Sequence, residues 1–294
     1  MQQVRLPNGL EVYALNQTEP GVLYHEIFSM ESYRKNGIDL ADGACVFDIG
    51  ANIGMYALFL GHSVSSLRLF AFEPIPAIFE VLQRNLSKLP ETVSHKALNR
   101  GLSDRDRSET FTFDSSLSMT AGMYSDEVAG SVQTTASSYA WLQAIVQDAA
   151  RVNQLPAQLA SRLVRWLDTP YLRVPTRLLL GLPLTTLLAW QKRNTKTVTC
   201  SLTTLSAVIE KEQISQIDLA KIDVEGSEWD VLMGIAPADW PKIRQFVVEV
   251  HDIDQRTQRI ADLFRQHGYR VTVAQEDWSL HKLMNIYTVY ATST

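Results

Sequence analysis

Residues 45–56, CVFDIGANIGMY, constrain the fold of this chain more than any other stretch. A short apolar run reaches Asp48 and Gly50 and then continues as a helix, and such a strand–turn–helix unit is where α/β sheets bind nucleotide-like ligands. Glycine lets a ligand approach the backbone, and the helix start presents free N–H groups. A dinucleotide-binding turn has the order G-x-G-x-x-G, but Asn52 stands where its second glycine would meet a pyrophosphate. The sequence therefore predicts a ligand without a pyrophosphate.

A second apolar run, residues 67–72, ends in Glu73 and Pro74. An acidic residue there, about 20 residues beyond the glycine turn, can accept hydrogen bonds from both hydroxyls of a ribose. Asp48 and Glu73 also have simpler explanations, as a turn or helix-cap residue and as an exposed charge. Their order and spacing nevertheless favour a pocket for an unphosphorylated nucleoside with a small tail, which describes S-adenosylmethionine. We predict that Asp48, Gly50, Asn52, Glu73 and Pro74 bind this cofactor.

Apolar residues recur alternately at strand and at helix spacing along most of the chain. The predicted strands, besides the two above, are residues 10–15, 93–98, 110–113, 218–224, 245–250, 269–274 and 286–291. The predicted helices are residues 22–36, 77–88, 205–212, 227–233 and 256–267. This alternation predicts an α/β fold with a doubly wound, mostly parallel sheet that binds ligands at the carboxyl ends of its strands.

Four titratable side chains close the fourth and fifth core strands. Asp223 and Glu225 end one strand, and Glu249 and His251 end the next, so each pair points to one face of the sheet. A histidine there can remove the proton of an attacking hydroxyl while a carboxylate orients its ring. We predict His251 as this general base and Glu225 as its partner; a structural histidine at a strand end is the alternative. We expect Asp223 to hold the amino end of the cofactor and Glu249 to support the strand end.

Four motifs, FDIGANIGMYAL, FAFEP, LAKIDVEGSEWDVLMGI and FVVEVHD, stand in the order found in FkbM-type S-adenosylmethionine-dependent methyltransferases. The chain resembles this family over about residues 10–125 and 198–290, and it is similar to the O-methyltransferase domains of polyketide and mixed peptide–polyketide synthases. The resemblance implies the seven-stranded, Rossmann-like sheet of class I methyltransferases, with a helical insertion. It also implies that Asp104, after the third strand, contacts the adenine amino group; a turn aspartate is the alternative.

The resemblance further implies an O-methyltransferase of secondary metabolism with a histidine base and no metal ion. The expected acceptor is a hydroxyl of a polyketide or peptide–polyketide intermediate on a carrier protein, and a free small molecule with a hydroxyl, carboxylate or sugar is an alternative. A magnesium-dependent enzyme of this fold would use Asp223 with Glu249 or Asp252 as oxygen ligands. Two further alternatives are a non-catalytic cofactor-binding module and a nicotinamide dehydrogenase, which Asn52 disfavours.

Residues 131–197 interrupt the alternation and lack a clear strand signal. They contain two helix-like stretches, residues 138–150 and 157–167, and an apolar run at 178–190. Between residues 132 and 199 there are eight basic and two acidic side chains, a net charge of +6 within a chain of net charge −5. We predict a lid or a docking surface for an acidic acyl carrier protein. A helical pair that merely covers the sheet is the alternative.

The insertion gives a four-part plan for the chain. The parts are residues 1–40, which cover the active site, 41–130, the cofactor-binding half, 131–197, the insertion, and 198–294, the catalytic half. The negative net charge gives no indication of nucleic-acid binding. The only two cysteines, Cys45 and Cys200, each begin an apolar run, which predicts core packing in a reducing compartment. Without a secretion signal or an apolar run of about 18 residues, we expect a cytoplasmic protein with no membrane span.

Overall fold

The computed structural model describes residues 1–113, 138–151, 155–168 and 196–293. The apolar run at residues 178–190, which the sequence singles out, lies outside these described residues. Within them, no helix is both long and apolar enough to cross a bilayer.

Strands and helices alternate along the described chain, as predicted. The strands are β1 Gln2–Arg5, β2 Glu11–Ala14, β3 Ala44–Ile49, β4 Leu67–Phe72, β5 Val93–Leu98, β6 Gly101–Leu102, β7 Arg107–Phe113, β8 Lys196–Thr203, β9 Leu219–Ile222, β10 Gln245–His251, β11 Tyr269–Ala274 and β12 Ile286–Ser293. The α-helices are α1 Glu19–Tyr24, α2 Met55–Ser63, α3 Pro76–Leu86, α4 Ser138–Arg151, α5 Ala157–Asp168, α6 Leu205–Lys211, α7 Glu228–Met233, α8 Arg256–Gln266 and α9 Ser279–Leu283.

Seven strands form one sheet in the order β11-β12-β10-β9-β3-β4-β5. β12 runs antiparallel to β10 and β11, and the other neighbours are parallel. Every residue of β3 and β9 is buried, as expected for central strands of a sheet with both faces covered. The strand order reverses between β3 and β9, and in such sheets a ligand crevice lies at the carboxyl ends beside that point. The arrangement confirms the predicted doubly wound, seven-stranded α/β fold.

The described residues form two apolar cores. Phe47 of β3 and Phe246 of β10 belong to one, and Leu69 of β4 and Tyr56 of α2 to the other. Strand side chains alternate between the two faces of a sheet, which is why neighbouring residues of β3 join different cores. The cysteines at positions 45 and 200 are free and buried, one in each core, as predicted for core packing.

The N-terminal segment differs from its prediction. The sequence predicts one helix over residues 22–36, but α1 begins at Glu19 and gives way to a π-helical turn, His25–Ser29. Proline suits the first turn of a helix, so Pro20 favours the earlier start. Glu31 then adopts a left-handed conformation with φ 49°, and the short 3₁₀ helix Ser32–Arg34 follows. The broken course buries Glu26 and Tyr33 of this segment.

The chain leaves the core for the insertion and returns at neighbouring strands. β7 pairs antiparallel with β8, so that Phe113 lies opposite Lys196. The predicted hairpin strand at residues 110–113 therefore begins earlier, at Arg107. α4 packs against α5 and against α9. The insertion is thus in contact with the helix that connects the last two strands of the sheet.

Candidate active site

The turn after β3 packs directly on the end of β9. Gly50 has φ +79°, and a Cβ atom at this position would overlap the carbonyl oxygen of Asp223. The glycine is therefore required by the contact between two strand ends, in addition to any approach of a ligand. Asn52 also adopts a left-handed conformation, with φ 47°, which asparagine tolerates better than most residues.

The end of β4 lies against this turn. The Glu73 carboxylate accepts hydrogen bonds from the backbone N–H groups of Ile75, at 2.9 Å, and Asn52. Burial raises the pKa of Glu73 to about 7, although these bonds oppose the change. The carbonyl oxygen of Pro74 accepts a hydrogen bond from the Asn99 side chain at 3.0 Å. The structure thus places Glu73 beside Asn52 and Pro74, all three of which the sequence predicts as cofactor-binding residues.

Lys221, which the sequence reasoning missed, connects the ends of β3 and β9. Its ammonium group donates to the carbonyl oxygen of Gly50 at 2.9 Å and pairs with the carboxylates of Asp48 at 3.3 Å and Asp223 at 3.2 Å. Burial lowers the pKa of Lys221, but the two carboxylates outweigh burial and raise it, so the lysine is charged. A lysine inside the buried strand LAKI is the signal that could have identified it.

Asp48, predicted as a cofactor-binding residue, lies buried at the end of β3. Its side chain is 0% exposed and pairs with Lys221 behind the glycine turn. Through Lys221 it supports the glycine turn, and its predicted contact with the cofactor stays a prediction. Asp223 is more accessible, since 24% of its side chain is exposed.

His251 and Glu225 meet at the carboxyl ends of β10 and β9. The Nε2 atom of His251 lies 3.1 Å from Oε2 of Glu225, and the residue is only 2% exposed. Burial lowers the pKa of His251, but the hydrogen bond and the charge of Glu225 outweigh burial and raise it. The Nδ1 atom has no hydrogen-bond partner among the described residues. With Nε2 bonded to the carboxylate, Nδ1 is the nitrogen left to accept a proton.

The loop that carries Glu225 is held in an unusual backbone conformation. Glu225 has φ 52° and Gly226 has φ 99°. The N–H group of Gly226 donates to the buried Glu228 at 2.6 Å, and Arg256 donates to the Gly226 carbonyl at 2.6 Å. Arg256 also pairs with Glu228 at 3.5 Å. Such strained positions persist only where the surroundings over-determine them, and they are frequent where a functional side chain is aimed.

Asp223 also belongs to a buried network that reaches the N-terminal segment. The Tyr33 hydroxyl lies 3.2 Å from Asp223 and 3.2 Å from Glu26. A hydroxyl has one hydrogen to donate, so it serves both carboxyls best when one of them is protonated. Burial, followed by the charge of Asp223, raises the pKa of Glu26 to about 7. Neither Tyr33 nor Glu26 is adjacent to Asp223 in sequence, and only the fold brings them together.

Asp104 lies in the turn between β6 and β7, where 34% of its side chain is exposed. Its carboxylate accepts a hydrogen bond from the Ser103 hydroxyl at 3.1 Å and pairs with Arg107. Burial by itself raises the pKa of Asp104, but the hydrogen bonds from Arg107 and Ser103 together with the arginine charges outweigh burial and lower it. Both partners belong to its own turn, as expected of a turn aspartate, and the contact with adenine stays a prediction.

The acidic residues weighed as magnesium ligands have other partners. Asp252 accepts the N–H of Thr257 at 2.9 Å at the start of α8, and Asp223 is paired with Lys221. Glu249 instead lies beside Glu26 and His281, and the ligand atoms of these three are all within 4.8 Å of one another. The sequence assigns no role to His281.

Comparison with known proteins identifies the family. The model of the methyltransferase FkbM domain matches residues 48–271. The chain is 33% identical to the 31-O-demethyl-FK506 methyltransferase FkbM of Streptomyces tacrolimicus over 283 residues, which are 94% of this chain and 92% of that protein. The chain belongs to the FkbM methyltransferase family.

Two further relatives show the range of proteins in which such chains occur. The AMB antimetabolite synthetase AmbE of Pseudomonas aeruginosa is 32% identical over 279 residues, which are 93% of this chain but 12% of AmbE. Methyltransferase sdnD of Sordaria araneosa is 25% identical over 278 residues, 92% of this chain and 90% of that protein. Family and fold together make this FkbM-type chain a methyltransferase with a cofactor of the S-adenosylmethionine type.

The charges at the strand ends of the FkbM-type chain are complementary to those of this cofactor. S-adenosylmethionine carries a sulfonium, an ammonium and one carboxylate, and is therefore a net cation. The carboxyls of Asp48, Asp223 and Glu225 outnumber the ammonium group of Lys221, and the side chains of Asp223 and Glu225 are 24% and 22% exposed. A cationic ligand would offset this excess of negative charge.

Proposed function

We propose that the chain is an S-adenosylmethionine-dependent O-methyltransferase that methylates a hydroxyl of a polyketide or peptide–polyketide intermediate carried by a carrier protein. The observation that carries this proposal is the buried His251–Glu225 pair at neighbouring strand ends, with Nδ1 unpaired among the described residues. A positioned base beside the cofactor crevice is what a hydroxyl acceptor needs, since its proton must leave as the oxygen is methylated.

One set of residues would bind the cofactor, and another would remove the proton of the acceptor hydroxyl. Glu73, Pro74, Asn52 and Asp104 would hold the nucleoside of the cofactor, and Asp223 its amino end. When bound, the cofactor supplies an electrophilic methyl group. His251 takes the hydroxyl proton on Nδ1, and Glu225 stabilises the imidazolium that results. Burial strengthens this charge pair, and alignment of the two reactants in the crevice supplies much of the remaining rate.

Proton removal by His251 requires no metal ion. The alternative of magnesium held by Asp223 with Glu249 or Asp252 is less favoured, because Asp252 accepts the N–H of Thr257 in the first turn of α8 and Asp223 is paired with Lys221. A non-catalytic module would have no need of a strained loop that aims Glu225 at His251. The histidine mechanism therefore accounts for more of the contacts at the strand ends.

The carrier-bound acceptor is supported by one relative and by the insertion. AmbE is by name a synthetase, and this chain matches 12% of its length. On α5, Leu159 and Trp166 are 45% and 42% exposed, and Arg162 and Arg165 are exposed beside them. An exposed apolar and basic face suits an acidic carrier protein. A free hydroxyl compound is the alternative, as in the 31-O-demethyl-FK506 methyltransferase by its name.

The test of the base is His251→Ala, assayed with a labelled methyl donor and candidate hydroxyl acceptors. Turnover should fall by about 10²–10⁴, the effect of losing a positioned general base. The affinity for S-adenosylhomocysteine, measured by calorimetry, should stay nearly unchanged. His95→Ala is the matched control, since His95 is exposed on β5 and should keep full activity. Full turnover in folded His251→Ala would exclude His251 as the base.

A further inference from the structure

A second group of side chains, each of a type that can bind a metal ion, lies beside the His251–Glu225 pair. Glu26 comes from the π-helical turn, Glu249 from β10 and His281 from α9. One ligand atom from each lies within 4.8 Å of the other two, and both carboxyls are buried. Glu249 stands two residues before His251 on one strand, so their side chains share a face of the sheet.

The two carboxyls lie in an excess of negative charge. Burial and then Asp223 raise the pKa of Glu26 to about 7, and burial with the charges of Asp223 and Glu26 raises the pKa of Glu249 well above its ordinary value. Lys221 opposes both shifts but is already paired with Asp48 and Asp223. Two buried carboxyls in contact cannot both ionise unless a cation stands with them, and otherwise they share a proton.

The imidazole of His281 is in the neutral form that a metal ligand requires. Burial and the neighbouring His251 lower the pKa of His281 to about 4, so its imidazole is uncharged near neutral pH. In the described part of the chain, its ring contacts Trp278 at 6.0 Å between centroids, and neither ring nitrogen has a hydrogen bond. The ring is therefore held by packing while its nitrogen lone pair remains available.

Hydrogen bonds of neighbouring residues hold Glu26 and His281 in position. The Tyr33 hydroxyl lies 3.2 Å from Glu26 Oε1. Asp148 of α4 accepts the N–H groups of Ser279 and Leu280 at 3.0 and 2.8 Å, which holds the first turn of α9 and with it His281. Partners of this kind orient the residues of metal sites.

We propose that Glu26, Glu249 and His281 bind one divalent transition-metal ion. Two carboxylate oxygens and one imidazole nitrogen suit Mn²⁺, Fe²⁺ or Zn²⁺ better than Mg²⁺ or Ca²⁺, which prefer oxygen ligands alone. Three protein ligands leave positions open for water or an acceptor oxygen. The site shares no residue with the proposed proton transfer, and it departs from the sequence-based expectation of no metal.

The experiment titrates protein freed of metal by chelation with Mn²⁺ and follows free Mn²⁺ by electron paramagnetic resonance. One Mn²⁺ should bind per chain, and Glu249→Gln and His281→Gln should each weaken the affinity at least about tenfold, as losses around metal sites do. The matched control His267→Gln, at the end of α8 and stacked on Trp240, should bind Mn²⁺ like the native protein.

Melting temperature and S-adenosylhomocysteine affinity identify variants that fail to fold, and His281→Asn then replaces a misfolded His281→Gln. No binding of Mn²⁺ or Zn²⁺ at millimolar concentration, or equal affinity in the native protein and both ligand variants, would overturn the metal site and leave a proton-sharing carboxyl pair. The titration needs no methyl transfer, so it stands if the proposed function fails. Conversely, loss of turnover in His251→Ala supports the base whether or not a metal binds.

Discussion

At the scale of single residues, the predicted contact of Glu73 with the ribose offers the most direct test of the cofactor site. Glu73→Gln keeps the shape of the side chain but removes a charged acceptor, so S-adenosylhomocysteine binding should weaken by about 1.5–3 kcal/mol. Calorimetry measures the change. Glu80→Gln is the control, because Glu80 is 63% exposed on α3 and the same substitution there should leave affinity unchanged. Equal affinities of the native protein and Glu73→Gln would remove Glu73 from the binding site.

The raised pKa of Glu73, about 7, adds a pH dependence to the same contact. The ionised carboxylate can accept bonds from both ribose hydroxyls, whereas the protonated group has given up an acceptor position. Because the ionised form binds better, the affinity for S-adenosylhomocysteine should fall as the pH is lowered from 8 to 6, and binding near pH 7 should release a proton. Calorimetry in two buffers of different ionisation heat detects that proton. The trend should be absent in Glu73→Gln; the same slope in both proteins would assign it to another group.

Lys221 offers a prediction about stability. Lys221→Met leaves Asp48 and Asp223 without their buried cation, and breaking such a pair costs about 3–5 kcal/mol of the free energy of unfolding. Urea unfolding measures the loss. Lys211→Met is the matched control, because Lys211 is exposed at the end of α6 and a change within about 0.5 kcal/mol is expected. A loss below about 1 kcal/mol in Lys221→Met would show that the carboxyls find protons or water instead.

The residues that the sequence could predict are those at strand ends. Asp48, Glu73, Glu225 and His251 follow apolar runs, and parallel strands bring their carboxyl ends to one edge of the sheet. Lys221 and its contacts could not be assigned in this way, since its bond to Gly50 joins residues 171 positions apart. Sequence spacing identifies which strand ends meet. It does not identify which buried charges pair across them.

At the scale of secondary-structure elements, the main sheet was predictable and the N-terminal segment was not. β4, β5 and β11 have the predicted bounds, because buried strands show as short apolar runs between turn residues. The helix predicted for residues 22–36 has apolar spacing but no strong stop before Gly37. Contacts with the rest of the protein end it early: the Tyr290 hydroxyl donates to the Ser32 carbonyl at 2.7 Å, and Tyr33 reaches Asp223. Tertiary contacts here override local preference.

The turn between β3 and α2 provides a test at this scale. Gly50→Ala combines two costs, an unfavourable positive φ and an overlap with the Asp223 carbonyl. Gly43→Ala isolates the first, since Gly43 has φ +80° and no atom within 4 Å of an added Cβ. We expect Gly43→Ala to lose about 1–2 kcal/mol of unfolding free energy. Gly50→Ala should lose clearly more and should also weaken S-adenosylhomocysteine binding. Equal losses in the two variants, measured by urea unfolding, would show that the strand ends can separate freely.

At the scale of the whole molecule, charge is unevenly distributed between the insertion and the core. Residues 132–199 carry +6 in a chain of net charge −5, so the remainder carries −11. The insertion begins and ends at paired strands, and α4 packs on α9, which bears His281. A partner that binds the insertion would therefore be held next to the proposed reaction centre. Four of its basic residues, Arg173, Arg177, Lys192 and Arg193, lie outside the described residues.

The docking proposal predicts a charge-dependent preference for carrier-bound substrate. One acyl group should be methylated faster on an acidic carrier protein than as a small thioester, and the preference should fall as salt rises, because the Debye length is about 8 Å at physiological ionic strength. Changing Arg162 and Arg165 to Glu should abolish the preference at low salt while activity on the small thioester is kept. The same change at exposed Lys211 and Arg270 is the matched control and should leave the preference intact. Equal rates on both substrate forms at every salt concentration would make the substrate a diffusible small molecule and leave the insertion as a cover over the active site.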